Sequence, residues 1–469
     1  IDRQTLVCPQ AGGAPIGGAA HIAYADANPG PAAAATSSLT AAPLGPEGIA
    51  STIPVQAGHA WNVEGPTTVG PVRVDITGPA ASTSSVVQVI QQETGGTLQA
   101  SNAPCEAPTT DAWFAGFSSG VGDHATLLLS NVDTVAATVD IGIYGDTAPP
   151  NADADHGLVV APQTQVAVRL DALAPGFANA VTHVTGTARR IVPAIRYDAE
   201  NGELPLGVEW VPRTDPPALE QTVPGFVDGA GSRRLILSTP GDVDATVSIE
   251  VVTADGAFTP TGFEAVDVPS GQVVSVDLDP QLQAEAAAVV VTSTEPIVAG
   301  GISVLPLDKA GGSDIGFTAA VPALAGPAIV AGGQTGAGTH TKVLLSAPGD
   351  ADAHVTLTLL PSAAASSPLV SPLTVSAGTT LTLDLGSISP DPAPAIELTP
   401  DSGGPVYAAW TVQQATATSA DLTSFPIRST ATSLQRPPAR SDLLAGLPGW
   451  PAVAAPPPSP SAPPLPVVP

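Results

Sequence analysis

The chain has 469 residues, and an apolar fraction of 43% is enough for globular folding in about three or four domains. It carries 42 acidic and 14 basic residues, a formal net charge of −28. This charge argues against binding to nucleic acid or anionic membranes, because both need Lys and Arg. The 47 Gly and 52 Pro residues indicate many short strands joined by turns.

The first 110 residues are predicted to form a diverged β-sandwich. Its closing strand pair is assigned to Val72–Thr77 and Val86–Ile90. Cys8 and Cys105 match neither a CxxC redox pair nor a metal site, so we expect them to form a disulfide. Such a bond indicates an oxidising compartment, and the chain-entropy model gives it roughly 4 to 5 kcal/mol.

Three clear copies of a repeat of about 108 residues are predicted next, at 111–218, 219–326 and 327–435. Each contains an apolar block that ends at a serine, then a polar turn, and then a strand with period-two alternation. Near the end of a copy, Ala288–Thr292 and Ile297–Val304 are predicted to pair around a small turn. The serines of the apolar blocks are Ser130, Ser238 and Ser346.

These features predict an all-β protein of tandem Ig-like or fibronectin-like β-sandwich repeats. No helical periodicity is sustained. We expect the sandwiches to form an elongated rod or bent array in which each copy touches its neighbours. A closed propeller is not expected, because propeller blades repeat every ~40 to 50 residues.

The segment 436–469 is a Pro-rich tail, predicted to be polyproline II or an unfolded linker. The alternative is a docking segment for a partner or for the protein's own domains. Its small apolar cluster consists of Leu443, Leu444, Leu447 and Trp450.

Two serine motifs resemble catalytic sequences. Asp401–Pro405 matches the nucleophile motif of chymotrypsin-like proteases, with His21 and Asp171 as partners, but the three would come from three different copies. Gly116–Gly120 fits the GxSxG elbow of α/β-hydrolases, which requires a following helix. Its glycines recur in later copies and its serine does not, so we assign it a structural role and predict that the chain is not an enzyme.

Aspartates in the hairpin turns are the candidate metal ligands. Asp242 and Asp244 occupy the same turn as Asp350 and Asp352 in the following copy, and clustered carboxylates are what calcium needs. Two carboxylates per loop fall short of six to eight oxygens, and Asp is common in turns because it bonds its own backbone. We therefore favour solvated turns and no cofactor, with calcium as the alternative.

Most of the tryptophans lie singly in their copies, at strand positions. One buried Trp per sandwich is typical of a core, whereas exposed ones could stack on sugar rings. Exposure of these side chains separates the two interpretations. The four residues are Trp61, Trp113, Trp210 and Trp410.

The chain resembles secreted or membrane-anchored cell-envelope proteins of high-GC actinobacteria that form a family of unknown function. The resemblance rests on Leu6–Pro9, Cys105–Glu106, the "LxLSxPGDxxAxV" blocks and the Pro-rich end. It implies an extracytoplasmic location, secreted or anchored at the outer face of the membrane, and supplies no catalytic residues. Because Met is absent, we expect a processed chain that has lost an N-terminal signal or anchor.

The sequence favours a non-enzymatic scaffold or accessory subunit of cell-surface assembly that acts by protein–protein contacts. Its partner is expected to be an envelope protein, including a membrane-embedded one. The alternative is a carbohydrate-binding or adhesive surface protein that recognises glycans.

Overall fold

The computed structural model describes the chain in segments from residue 3 to residue 430. Among the described residues, no helix is long and apolar enough to cross a membrane. The fold is all-β, with antiparallel sheets. The described segments are 3–9, 19–26, 37–45, 51–53, 58–64, 70–94, 97–146, 155–202, 204–229, 231–306, 313–336, 338–362, 367–415 and 420–430.

Within these segments the first two copies contain sixteen strands. Those of the first copy are β1 (Arg3–Cys8), β2 (Ala19–Asp26), β3 (Ser38–Pro43), β4 (Ser51–Ile53), β5 (His59–Glu64), β6 (Val72–Thr77), β7 (Ser84–Thr94) and β8 (Thr97–Pro104). Those of the second copy are β9 (Asp111–Phe117), β10 (Asp123–Ser130), β11 (Ala137–Gly145), β12 (Asp155–Val160), β13 (Gln165–Arg169), β14 (Ala180–Gly186), β15 (Val192–Asn201) and β16 (Leu204–Val211), with the one-turn helix α1 (Leu170–Leu173).

The third and fourth copies follow after the short strand β17 (Arg213–Thr214), which pairs with β9. The third contains β18 (Ala218–Phe226), β19 (Ser232–Ser238), β20 (Ala245–Val252), β21 (Ala257–Phe258), β22 (Val266–Val268), β23 (Val273–Asp277), helix α2 (Asp279–Leu282), β24 (Ala287–Pro306) and β25 (Ser313–Ala319). The fourth contains β26 (Ala328–Val330), β27 (Thr339–Ala347), β28 (Ala353–Leu360), β29 (Leu369–Val375), β30 (Thr379–Asp384), β31 (Ala395–Gly403), β32 (Tyr407–Ala415) and β33 (Ala420–Ile427).

Each copy has two facing sheets. One sheet, here called the axial sheet, ends on the last strand of its copy and keeps one strand order throughout: β5-β2-β7-β8, β13-β10-β15-β16, β23-β19-β24-β25 and β30-β27-β32-β33. The other, the peripheral sheet, contains the first strand, and apolar residues of both sheets share one core. Alternating burial along β11 shows why its sequence ATVDIGIYG forms a half-buried strand. The Ig-like or fibronectin-like class of these sheet pairs stays a prediction.

The predicted pairing of Ala288–Thr292 with Ile297–Val304 is wrong. Both segments belong to the single strand β24, whose first half pairs with β18 and β20 and whose second half pairs with β19 and β25. In the first copy, β6 and β7 likewise lie in different sheets. The short polar break that looks like a hairpin turn is the point where the chain crosses from the peripheral to the axial sheet.

The expected rod is also wrong, because the four copies close into a ring. The last strands contact one another in cyclic order: β8 with β16, β16 with β25, β25 with β33, and β33 with β8. The closing junction is well packed, since Ala23, Ala25 and Val87 of the first copy belong to the same buried core as Trp410 of the fourth. A backbone bond of 2.9 Å from Ala60 N–H to the Pro361 carbonyl spans the same junction.

Recurrent glycines allow neighbouring copies to approach closely. Gly225 has φ +92°, and a Cβ built on it would lie 2.5 Å from the Cβ of Ala409 in the next copy. Gly332 of the fourth copy has φ +83° and packs against Val87 of the first. The first glycine of the GxSxG-like motif, Gly116, packs against Ile302 of the third copy and therefore serves copy-to-copy packing.

Gly225→Ala should destabilise the protein by about 1 to 3 kcal/mol, because the added methyl meets Ala409 and the positive φ disfavours any side chain. The free energy of unfolding in urea measures this. Gly241→Ala is the control, since nothing lies within 4 Å of a Cβ there. Equal effects of the two substitutions would contradict the packing role of Gly225.

The disulfide between Cys8 and Cys105 is present and closes a sequence separation of 97 residues within the core of the first copy. Replacing both cysteines with serine should lower the free energy of unfolding by roughly 4 to 5 kcal/mol in the chain-entropy model. Urea unfolding of the double variant, compared with the unreduced wild type, measures the loss. An unchanged midpoint would show that the bond does not constrain the unfolded chain.

Candidate functional site

The axis of the ring is a set of equivalent positions on the last strands. Each lies 107 residues after the previous one, and strand register places Glu209 opposite Tyr197 on the adjacent β15. The Asn102 N–H donates to Oγ1 of Thr423 at 3.0 Å, and the Thr423 hydroxyl donates to the Glu209 carboxyl group. The four positions are Asn102, Glu209, Gly316 and Thr423.

Close contact at the axis explains the small residues there. A Cβ on Gly316 would lie 2.8 Å from Cδ2 of Leu422, and a Cβ on Gly207 would lie 2.6 Å from Oδ1 of Asp314. The strands β16, β25 and β33 therefore approach at backbone distance, and side chains at these two positions would separate them.

Three acidic residues are buried at this axis, one from each of the second, third and fourth copies. Glu209 is fully buried, Asp314 is 2% exposed and Asp421 is 3% exposed. The Asp314 Oδ2 accepts the Leu422 N–H at 2.5 Å, and the Asp314 carboxyl group lies close enough to Asp421 to interact with it. The Glu209 Oε1 accepts the Trp210 N–H at 2.7 Å.

Burial raises the pKa of both Glu209 and Asp314 well above the usual range, because the charged form loses its water. The charge of Asp421 raises both pKa values further, and the charge of Glu209 adds to that effect at Asp314. Hydrogen bonds from Thr423 and Trp210 to Glu209, and from Leu422 to Asp314, lower these pKa values but are smaller effects than burial; at Glu209 they exceed the effect of Asp421.

Several oxygens at the axis have no hydrogen-bond partner in the described structure. They are Oε2 of Glu209, Oδ1 of Asp314 and Oδ1 of Asn102. The described residues include no group of three or more His, Cys, Asp or Glu arranged to hold a metal ion. The three acidic side chains form a buried polar layer at the axis.

An apolar pocket of about 160 Å³ lies directly beside this layer. Three copies line it through the ends of β8, β16 and β33, with Asn102 forming one side of its wall. Trp210 and Phe425 supply its aromatic surface, and Arg213 and Arg428 are its basic lining residues. Apolar walls with a few fixed polar groups are typical of pockets that bind a small apolar group or side chain.

Arg428 connects three copies beside this pocket. Its Nη1 lies 2.6 Å from Oδ1 of Asp215, near the end of the second copy. Its Nη2 donates to the carbonyls of Arg213 and Ala320, the latter at the end of the third copy. The fork of the guanidinium group holds the ends of three copies together.

The four aspartates considered as calcium ligands lie on exposed turns. Asp244 and Asp352 are exposed and accept backbone N–H groups of Ser270 and Ala377, both at 2.8 Å, so each ties its turn to the loop before a later strand. Asp242 and Asp350 are exposed on the same turns. Calcium binding by these four residues stays untested.

The described tryptophans are buried. Trp113 and Trp210 are each 6% exposed and Trp410 is fully buried, so their rings present no broad stacking surface for sugars. The side chain of Trp61 lies outside the described residues, as do Leu443, Leu444, Leu447 and Trp450 of the tail.

The serine motifs do not assemble a triad. Ser402 lies at the exposed end of β31 in the fourth copy, and Asp171 bonds Arg169 in the second copy. Ser118 donates to Asp123 at 2.5 Å and is followed by β10 and not by a helix.

Sequence reasoning missed the axial layer, although a signal was present. Asp314 and Asp421 lie 107 residues from each other within otherwise apolar or small-residue strands, and Glu209 interrupts an apolar strand in the same way. A buried acid in the last strand of three consecutive copies is the pattern that would have indicated a contact between them.

Arg428→Gln should lower the free energy of unfolding by about 1 to 3 kcal/mol, because two carbonyls and the Asp215 carboxylate lose a charged donor. Arg190→Gln is the matched control, since this exposed arginine pairs with Asp133 at 3.1 Å and a surface pair contributes about 0.2 to 1 kcal/mol. Urea unfolding of both variants measures the difference. A smaller loss for Arg428→Gln than for Arg190→Gln would contradict the clamp.

Comparison with known proteins gives one family. Residues 62–386 match the model of a family of unknown function (DUF5719), which covers more than half of the chain. No curated protein and no solved structure matches the chain. The match spans the axial strands β8, β16 and β25, so the ring described above is largely built from the matched region. The chain therefore belongs to the DUF5719 family of unknown function.

Proposed function

We propose that the chain is a non-enzymatic, extracytoplasmic scaffold or accessory subunit of cell-envelope assembly that acts by protein–protein contacts. The observation that carries the proposal is ring closure, with the fourth copy packed on the first. Closure fixes all four copies relative to one another, so a partner meets a preorganised surface and little ordering free energy is lost on binding.

Chemical features of the chain support the location. A disulfide persists in oxidising compartments outside the cytoplasm. The net charge of −28 favours a solvated surface and cationic partners over nucleic acid. Actinobacterial origin belongs to the same proposal, since the chain is rich in Ala, Val and Pro and has two lysines.

The pocket beside the axis is the proposed contact point for a protein partner. Its walls include Trp210, Phe425 and Pro426, and aromatic anchors of this kind dominate binding energy at interfaces. The tail residues 436–469 are proposed as a second, independent docking segment for an envelope partner. That partner includes the case of a membrane-embedded protein.

A capture experiment with three forms of the protein tests this function. The full chain, a chain ending at Thr430, and the full chain with Ala194→Leu, which fills the pocket wall, are exposed to detergent-solubilised envelope of the source organism. A specific partner should be retained by the full chain and lost from one of the other two forms. Loss with Ala194→Leu places the contact at the pocket, and loss on truncation places it in the tail.

Unfolded full chain and the exposed-surface variant Val159→Leu are the controls, since Val159 is 61% exposed and does not line the pocket. Capture of the same proteins by the unfolded chain would contradict the scaffold. Saturable binding of wall glycans at millimolar or lower concentration, with no captured protein, would instead support the adhesive alternative.

A further inference from the structure

The acidic layer at the axis holds three buried carboxyl groups. Glu209, Asp314 and Asp421 come from three copies, and each is at most 3% exposed. An ionised carboxylate in such a position is costly unless a cation or several donors surround it. The described donors to Glu209 and Asp314 are the backbone N–H groups of Trp210 and Leu422 and the hydroxyl of Thr423.

In the described segments, the strands that contact the axial strands carry no unpaired positive charge; on the next strand, β19, Arg234 interacts electrostatically with Tyr197 and donates to Oδ1 of Asn179 at 3.3 Å. Arg196 on β15 is the basic residue nearest in the strand order, and it pairs with Asp198 at 2.6 Å. The remaining ionisable groups described on these strands are acidic or phenolic: Asp111 on β9, Tyr197 and Glu200 on β15, Glu220 on β18, Glu295 on β24 and Tyr407 on β32.

Protons are therefore the balancing charges that the geometry favours. The carboxyl groups of Asp314 and Asp421 interact across the axis, and like charges so close in a buried site disfavour ionisation of Asp314. The unpartnered Oε2 of Glu209 and Oδ1 of Asp314 are in keeping with neutral groups, because an ionised oxygen buried without a donor would be far more costly.

We propose that closure of the ring is proton-linked: the carboxyl groups of Glu209 and Asp314 hold protons while the axial strands are packed, and the ring loosens when they ionise. Because the strands meet at backbone distance, ionised carboxylates cannot gain water without separating β16, β25 and β33. Loosening would expose the axial layer and the pocket beside it, so a rise in pH would change the surface offered to a partner.

The direction of the pH dependence follows from linkage. In the unfolded chain these groups titrate near the ordinary values of 3.8 for Asp and 4.5 for Glu, whereas in the ring the pKa values of Glu209 and Asp314 are raised. Between the two values the folded state binds more protons, so the stabilisation is complete below the unfolded pKa and is lost as pH rises through the folded pKa. For each proton that the folded chain binds and the unfolded chain releases, the equilibrium constant of unfolding rises about tenfold per pH unit.

Chemical unfolding of the full chain from about pH 5 to about pH 9 tests the proposal. Wild type should lose stability with rising pH above about pH 6, where ordinary carboxyl groups no longer titrate. In Asp314→Asn the equilibrium constant of unfolding should rise less steeply with pH, by about a factor of ten per pH unit, because an amide stays neutral at every pH. Asp267→Asn on the exposed strand β22 is the control and should retain the wild-type slope.

Amide hydrogen exchange gives a local readout that does not depend on any variant. The N–H groups of Asn102 and Leu422, which bond Thr423 and Asp314 across the axis, should lose at least about tenfold protection between about pH 6 and pH 9 after correction for intrinsic exchange. Amides of β11, which lies inside a peripheral sheet, should retain their protection.

Two outcomes would overturn the proposal. One is a stability slope above about pH 6 that is the same in wild type and in Asp314→Asn, together with unchanged protection of the two axial amides. The other is a loss of stability at about pH 7 on adding EDTA, restored by calcium and absent from Asp314→Asn, since a bound cation and not a proton would then balance the carboxylates.

Discussion

The structure depends on how the edge strand of each axial sheet is covered. An uncovered edge would present unpaired backbone groups and apolar side chains to other chains. Here β8, β16, β25 and β33 are those edges, and each is packed between the last strands of two neighbouring copies. Four sheet pairs that meet in this way have to close, because a linear array would leave the edges of its two terminal copies exposed. The recurrent glycines follow from the same constraint, since they let one copy approach the next.

A closed axis also determines where polar groups can lie. The last strands are short and close together, so a carboxyl group placed on them cannot reach solvent without separating the strands. Glu209 and Asp314 therefore tie the charge state of the axis to copy-to-copy packing. Arg428, by contrast, lies outside the buried layer, and its charge is paired with Asp215. Neutral groups inside and paired charges outside let one interface be both buried and polar.

Much of the fold could be predicted from local pattern, and much of the site could not. Period-two alternation and turns identify strands such as β11 and β13, and the two cysteines identify the disulfide. Ring closure was missed because nothing local distinguishes Ala409 as a contact of Gly225 in the preceding copy. The same holds for β24, whose change of sheet depends on partners such as β18, far away in the sequence. The site arises from residues separated by a whole repeat, so only a repeat alignment extended to the last strand could have brought Asp314 and Asp421 together.

The first copy, although the most diverged in sequence, carries the junction on which closure depends. Its Val87 and Val89 belong to the buried core of the fourth copy, and its Asn102 reaches Thr423 on β33. The disulfide joins β1 to the residue that follows β8, so it restrains the strand that bears Asn102. The disulfide stabilises the first copy by limiting its unfolded chain, and that copy supplies the contact between Asn102 and Thr423, which are 321 residues apart. The fourth copy therefore packs against a strand, β8, whose end the disulfide restrains.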